Sequence, residues 1–200
     1  MRFRFYILFV LFVTQQVMPV FAQGGDNSNQ KREYKIKAAF LYNFIQFVDW
    51  PEEKKPNQDD PIILGIIGED PFGDSFEPIE SKQIKGGKSL IKRFEGIEKL
   101  KKSHDKGQSK IDSLRKCHLL FICSSEEDHL KEIINLVSGY GVLTVGESSN
   151  MLKSGGVINF LVEENKVRFE INLKTAKQEK LKIRSQLLRL ATEVIDEKSG

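Results

Sequence analysis

The chain has 200 residues, 40% of them hydrophobic and 30% charged, with a formal net charge of +3. That length suffices for a single domain with a real core. The near-balance of charge argues against nucleic acid as a partner, because a basic footprint is the usual sign of one.

Arg2 and Arg4 precede an apolar run from Phe5 to Val13, and Val20-Phe21-Ala22 closes a looser stretch. A basic start, a short apolar middle and a small final residue make a Sec-type signal peptide over residues 1–22, cut after Ala22. A transmembrane helix needs about 20 apolar residues, and Gln15 and Gln16 interrupt this run too early. An uncleaved anchor is the alternative. No cysteine follows the run, which argues against a lipoprotein. Without Arg2 and Arg4 the charge is +1. The mature product is expected to be exported and soluble.

Residues 23–32 are polar and glycine-rich at their start and read as a flexible N-terminus, leaving 33–196 as the folded domain. In YKIKAAFLYNFIQFVDWP, Ala38, Leu41, Tyr42, Ile45 and Val48 recur at helical spacing. Phe40, Phe44 and Phe47 make the other faces apolar, so this helix is expected to be buried on most sides; Pro51 ends it. PIILGIIG (61–68) reads as a central strand, of the parallel kind whose two faces are both apolar. A turn and short helix follow near Phe72 to Ile79. KSLIKRFE (88–95) reads as a second strand, the lysine-rich stretch after it as polar with a solvated loop at 104–107, and HLLFIC (118–123) as a third strand.

The only cysteines, Cys117 and Cys123, stand at the two ends of CHLLFIC. A strand of that length separates them by roughly 20 Å, whereas a disulfide needs α-carbons within about 7 Å. No bond between them is expected. Acidic residues open the next helix, EEDHLKEIINLV, and suit its dipole; Leu130, Ile133, Ile134 and Val137 form its buried stripe. GYG turns the chain into VLTV (142–145), a fourth strand, and a short helix is expected at 149–152. Alternation of strand and helix marks an α/β layer fold.

GGVINFLVEENKVRFEIN (155–172) is a hairpin turning at Glu164-Asn165. Its register sets Val162 against Val167, Phe160 against Phe169 and Ile158 against Ile171, all on one side; a slip of one residue buries charges instead. LKIRSQLLRLATEVIDE then reads as a final helix with Ile183, Leu187, Leu190, Ala191 and Val194 inward. The expected fold is a single layered domain, with a mixed, mostly parallel sheet, an antiparallel C-terminal hairpin and flanking helices.

No catalytic constellation rises above background. GEDPFG lacks the Lys-Ser/Thr ending of a phosphate loop. His104, His118 and His129 have no metal-ligand spacing, and Cys117 and His118, being neighbours in a strand, point to opposite faces. The chain therefore reads as no enzyme, with neither a metal nor a cofactor. On the polar side of the hairpin, Arg168 beside Asn159 and Glu170 is a candidate anion site, since a guanidinium presents a fork of donors to carboxylate or phosphate. A solvated strand face with an Arg168–Glu170 ion pair accounts for the same residues.

KAAFLYNFIQFVDWP, PIILGIIGEDPFG, KCHLLFIC, VLTVGES, GGVINFLVEENKVRFEINL and LKIRSQLLRLA, taken together and in this order, resemble the YfiR-like periplasmic family. The resemblance implies an α/β domain, often dimeric, that binds the periplasmic part of an inner-membrane diguanylate cyclase and holds it inactive. It implies lowered cyclic di-GMP signalling and biofilm formation, and an outer-membrane lipoprotein able to sequester the repressor. It also implies a small nucleotide-like ligand near an arginine on the strand matching VRFEIN, which here is Arg168 and, beside it, Glu170. An acidic Glu170 disfavours phosphate where the family pattern favours a basic or neutral residue. A ligand-binding sensor module of the same fold is thus the alternative function.

Overall fold

The structure, a computed structural model, describes residues 24–55, 60–80, 83–84, 87–102 and 107–196. The expected signal peptide at 1–22, and residues 104–106 of the expected solvated loop, lie outside these. Helix α1 (Gly24–Phe47) leads into a two-residue strand β1 (Val48–Asp49) and a 3-10 turn at Glu52–Lys54. Strand β2 (Ile62–Ile67) is followed by a 3-10 turn at Gly73–Phe76, helix α2 (Glu77–Glu80), strand β3 (Gln83–Ile84) and strand β4 (Gly87–Phe94). Helices α3 (Ile97–Lys102) and α4 (Gly107–Arg115) precede strand β5 (Leu119–Ile122). A 3-10 segment at Ser124–His129 runs into helix α5 (Leu130–Val137), and strand β6 (Leu143–Gly146) follows. The hairpin β7 (Ile158–Glu163) and β8 (Lys166–Asn172) leads to helix α6 (Leu173–Gln178), strand β9 (Lys182–Ile183), helix α7 (Ser185–Leu188) and strand β10 (Glu193–Ile195).

Eight of these strands make one sheet in the order β10-β8-β7-β6-β5-β2-β4-β3, and β1 pairs with β9 in a separate antiparallel ribbon. Parallel pairing runs from β4 through β2, β5 and β6 to β7. The hairpin pair β7–β8 is antiparallel, as is β3–β4. Connections move outward from β2 first to β4 and then, on the other side, to β5, β6 and β7, which makes β2/β5 the point where strand order reverses. The fold is the expected α/β arrangement of a mostly parallel sheet with an antiparallel hairpin and flanking helices.

Alternation along the strands builds two cores, one on each face of the sheet. Leu119 and Phe121 of β5 pack into one core, Leu120 and Ile122 into the other. The first core is aromatic. Phe44 of α1 stands 5.5 Å from Phe160 and 5.0 Å from Phe169, ring centre to ring centre, and Phe72 stands 4.9 Å from Phe121. Against the second core lie α3, α4 and α5, contributing Ile97, Leu100, Leu114, Ile133 and Val137. Helices α3 and α4 arise in the lysine-rich stretch because Ile97, Leu100 and Leu114 give it an apolar side despite its composition.

The hairpin register is the expected one, Ile158↔Ile171, Phe160↔Phe169 and Val162↔Val167. Glu164 and Asn165 take φ of 50° and 60°, the left-handed pair that a tight two-residue hairpin turn requires. The ladder outruns the core at its tip, where Val162 is 50% exposed.

Several expectations need correction. Helix α1 reaches back to Gly24, into the stretch expected to be flexible. Lys31 pairs with Asp74 at 2.8 Å, and Lys37 with Glu33 one turn before it, so this turn of helix has charge partners without needing an apolar face. Residues 149–155 form hydrogen-bonded turns rather than a helix. The final helix is the largest departure. Residues 182–195 are strand, one helical turn and strand, not one long helix. Strand β10 pairs parallel to β8 (Val194↔Ile171), and the Thr192 N–H donates to the Phe169 carbonyl. The open edge of β8 has backbone groups that need partners, and Val194 and Ile195 are β-branched and suit a strand. Of the expected stripe, Leu187 is buried and Ile183 and Ala191 partly so, while Leu190 (61% exposed) and Val194 face outward.

Candidate functional site

The candidate residues of the hairpin share one side of the sheet. Asn159 and Glu170 are cross-strand partners, and Arg168 lies opposite Leu161, two residues along from Glu170. Their environments differ sharply. Arg168 is exposed and Glu170 half-buried, whereas Asn159 is only 4% exposed. Asn159 is covered because its neighbour across β6 is Gly146, and Gly146 faces the Met151 side chain. Its Oδ1 is buried without a hydrogen-bond partner among the described residues. The Arg168–Glu170 ion pair that a plain solvated face predicts is not among the pairs the described residues make. The three residues are thus brought to one surface, with an unpartnered amide oxygen beneath and, above it, a guanidinium that makes no ion pair among the described residues.

In open α/β sheets, ligands usually enter at the carboxyl ends of the strands, where strand order reverses. Here helix α1 covers that end over β6, leaving an outer cleft between α1 and residues 71–75. Lys37 of α1 is 3% exposed, and its ammonium is shared between Glu33 and Glu147, the latter at 2.6 Å. The Tyr34 hydroxyl also donates to Glu147, at 3.1 Å, and burial raises its pKa well above that of a free phenol. At the β2/β5 switch the Glu69 N–H donates to Ser125 Oγ, and Gly68 (φ 103°) leaves only 2.5 Å between a built Cβ and that oxygen. Glu126, also buried, accepts from the Ile97 N–H and caps α3.

The opposite end is open. A cavity of about 660 Å³ lies where β2, β5 and β6 begin. Its walls come from Pro51 to Lys55, Asp60 to Ile63, Arg115 to His118, the 139–141 loop and the 178–180 corner. Lys54 spans it, its Nζ donating to the carbonyls of Arg115 (2.8 Å) and Tyr140 (2.7 Å). Burial pushes this ammonium's pKa down to about 8. Glu179 is buried yet satisfied, accepting from Ser138 Oγ and from the N–H groups of Gly139 and Gly141. Both glycines have positive φ, and a Cβ on Gly141 meets Pro51 Cγ at 3.1 Å. The loop is therefore fixed, and it holds the Tyr140 ring at the rim with the Arg115 guanidinium 4.6 Å from its centre.

His118 forms part of this wall and acts there as a tether. Its Nδ1 accepts from the Ile63 N–H at 3.0 Å, and the Trp50 indole donates to its carbonyl. Burial, helped by nearby Lys54, lowers its pKa to about 4, so the ring is neutral at pH 7. Burial raises the Cys117 thiol to about 12 and Cys123 further, and both are free cysteines at the two ends of β5. An activated Cys-His pair needs the opposite shifts. No cluster of three His, Cys, Asp or Glu able to hold a metal, and no helix long and apolar enough to cross a membrane, occurs among the described residues.

Reading the sequence found the hairpin residues but missed Lys54, Glu179 and Tyr140. The cavity is assembled from five distant segments, and the only local signal was Gly139-Tyr140-Gly141, legible simply as a turn.

Comparison with known proteins agrees with this architecture. The profile of the YfiR/HmsC-like family matches residues 34–192. No curated protein matches the chain. Among solved structures, a conserved domain protein from Vibrio cholerae O1 biovar El Tor strain N16961 superposes with a TM-score of 0.53 at 9% identity, covering 81% of this chain. The chain spans 60% of that protein's length. An ABC domain from Streptococcus pneumoniae in complex with L-Trp aligns with a TM-score of 0.49 at 11% identity, over 66% of this chain and 56% of that one.

Proposed function

We propose that this chain, which belongs to the YfiR/HmsC-like family of periplasmic diguanylate cyclase regulators, binds the periplasmic part of an inner-membrane diguanylate cyclase and represses it. Lower cyclic di-GMP and less biofilm follow. The observation carrying this reading is the extent of the family match: residues 34–192 contain both cores and every strand of the main sheet except β10. Repression by contact asks only that the protein prefer the inactive cyclase conformation, because a partner shifts an equilibrium by its differential affinity for the two states. Leu190, Val194 and Ile195, all exposed along the last edge of the sheet, supply apolar surface for such a contact. Export through the 1–22 segment, a homodimer and release by an outer-membrane lipoprotein belong to the same reading. Capture on the immobilised protein from detergent-solubilised membranes tests it. A cyclase with a periplasmic sensor is the expected catch, and its absence counts against repression.

One observation favours a second reading, a sensor of a nucleotide-like anion. Asn159 is one of the three candidate anion-site residues, and its buried Oδ1 lacks a partner among the described residues. In this reading Arg168 holds the anion while Asn159 and Glu170 accept from its donors. Calorimetry with nucleotides, and Arg168→Ala as the control, separates the two: heat lost in the variant supports the sensor.

A further inference from the structure

We propose that the cavity at the amino-terminal ends of β2, β5 and β6 binds a small planar anion, an aromatic ring bearing a carboxylate or phosphate, with its ring on Tyr140 and its anionic group between Lys54 and Lys116. This site is separate from the hairpin face, since neither Arg168, Glu170 nor Asn159 lines the cavity. It does not depend on the repressor reading.

Size comes first. About 660 Å³ lies within the range of small-molecule sites, which are largely pre-formed and carry a few placed polar groups on an apolar lining. Pro51, Pro61 and Ile63 provide that lining. The rim is the second argument. Tyr140 is 48% exposed, yet it sits on a loop pinned by three donors to Glu179 and is backed on one ring face by Arg115. An exposed aromatic ring already held in place loses little freedom on stacking.

Charge is the third. Lys54, Lys55, Arg115, Lys116 and Lys180 line the cavity, against Glu53, Asp60 and Glu179. Two of the acids are engaged, Glu53 by Lys180 at 2.9 Å and Glu179 by its loop, and Asp60 sits near His118. Lys55 lies 3.6 Å from Glu52. Lys116 makes no pair among the described residues, and Lys54 has three N–H donors with two of them on carbonyls. An anion accepting from both satisfies them. Burial lowers the affinity of Lys54 for its proton, with Glu179 opposing, and an anion beside the ammonium would offset that burial further.

Calorimetric titration of the whole chain with phenyl phosphate, benzoate, cyclohexanecarboxylate and inorganic phosphate tests the proposal. Phenyl phosphate or benzoate is expected to saturate one site, and the tighter of the two identifies the anionic group. Cyclohexanecarboxylate and inorganic phosphate, each lacking half of the chemistry, are expected to bind at least about tenfold more weakly. Tyr140→Leu should erase the preference for an aromatic ring, and Lys116→Ala should weaken binding several-fold. Arg168→Ala, remote from this cavity, should leave the affinity for phenyl phosphate and benzoate unchanged. Lys54→Met strips two carbonyls of their donor and can unfold the wall, so the exposed Lys116 carries the charge test. Saturation by neither aromatic anion overturns the proposal, as does unchanged affinity in Tyr140→Leu, or a loss in Arg168→Ala, which places the ligand on the hairpin. Cyclase capture is read separately, so these failures leave repression standing.

Discussion

The two ends of the parallel strands are built from opposite materials. At the carboxyl end, α1 lays a buried lysine across Glu147 and Glu33, and tight glycine contacts close the β2/β5 switch. At the amino end, the walls stand apart around a cavity, and the two buried charged groups there, Lys54 and Glu179, bond to backbone. The fold alone points to a ligand at the carboxyl end. This chain has filled that end with helix α1. The difference teaches that a topology only offers a crevice, and that the side chains decide whether it stays open.

Breaking the closed end should produce the largest effect. Lys37→Met leaves Glu147 and Glu33 without their cation, and Glu147 has little access to water. Loss of one partner of a buried pair typically costs about 3–5 kcal/mol. Urea denaturation should show it, and Lys37→Met with Glu147→Leu should recover most of the loss. Acid should act next, at the open end. The unfolded imidazole of His118 takes its proton near pH 6.5, whereas the folded one holds out until about 4. Between those values the unfolded chain binds more protons. Stability from this residue is therefore full above about pH 6.5 and falls toward pH 4, by up to about 3 kcal/mol. Denaturation curves at pH 7, 5.5 and 4 should show that slope, and His118→Gln should remove it.

Smaller effects sharpen the contrast. Gly141→Ala places a methyl 3.1 Å from Pro51 Cγ at a φ of 60°, and thermal unfolding should report a loss of about 1–2 kcal/mol. Lys116→Ala, on an exposed lysine with no pair among the described residues, should move stability by less than about 0.5 kcal/mol. A large loss there would mean that the open end is structural after all.

How much of this was legible in the sequence depends on where the information sits. The hairpin register could be read from six alternating positions and one turn, because its partners are close along the chain. Strands β2, β5 and β6 were legible as short apolar runs. The 182–195 segment was misread because its apolar residues fit a helical stripe, whereas the deciding partner, the open edge of β8, lies some twenty residues earlier in the chain. Asn159 falls on the polar side by alternation, and only the fold brings Met151 over its neighbour and buries it. The cavity could not be read at all. Lys54 bonds to the carbonyls of Arg115 and Tyr140, 61 and 86 residues away.

The central proposal is that the domain lowers cyclic di-GMP by contact with a membrane cyclase. The most direct measurement is the cellular level of cyclic di-GMP with the gene deleted and then restored in its exported form. The level should rise on deletion and return on restoration. A level that does not change with the protein present or absent contradicts the account.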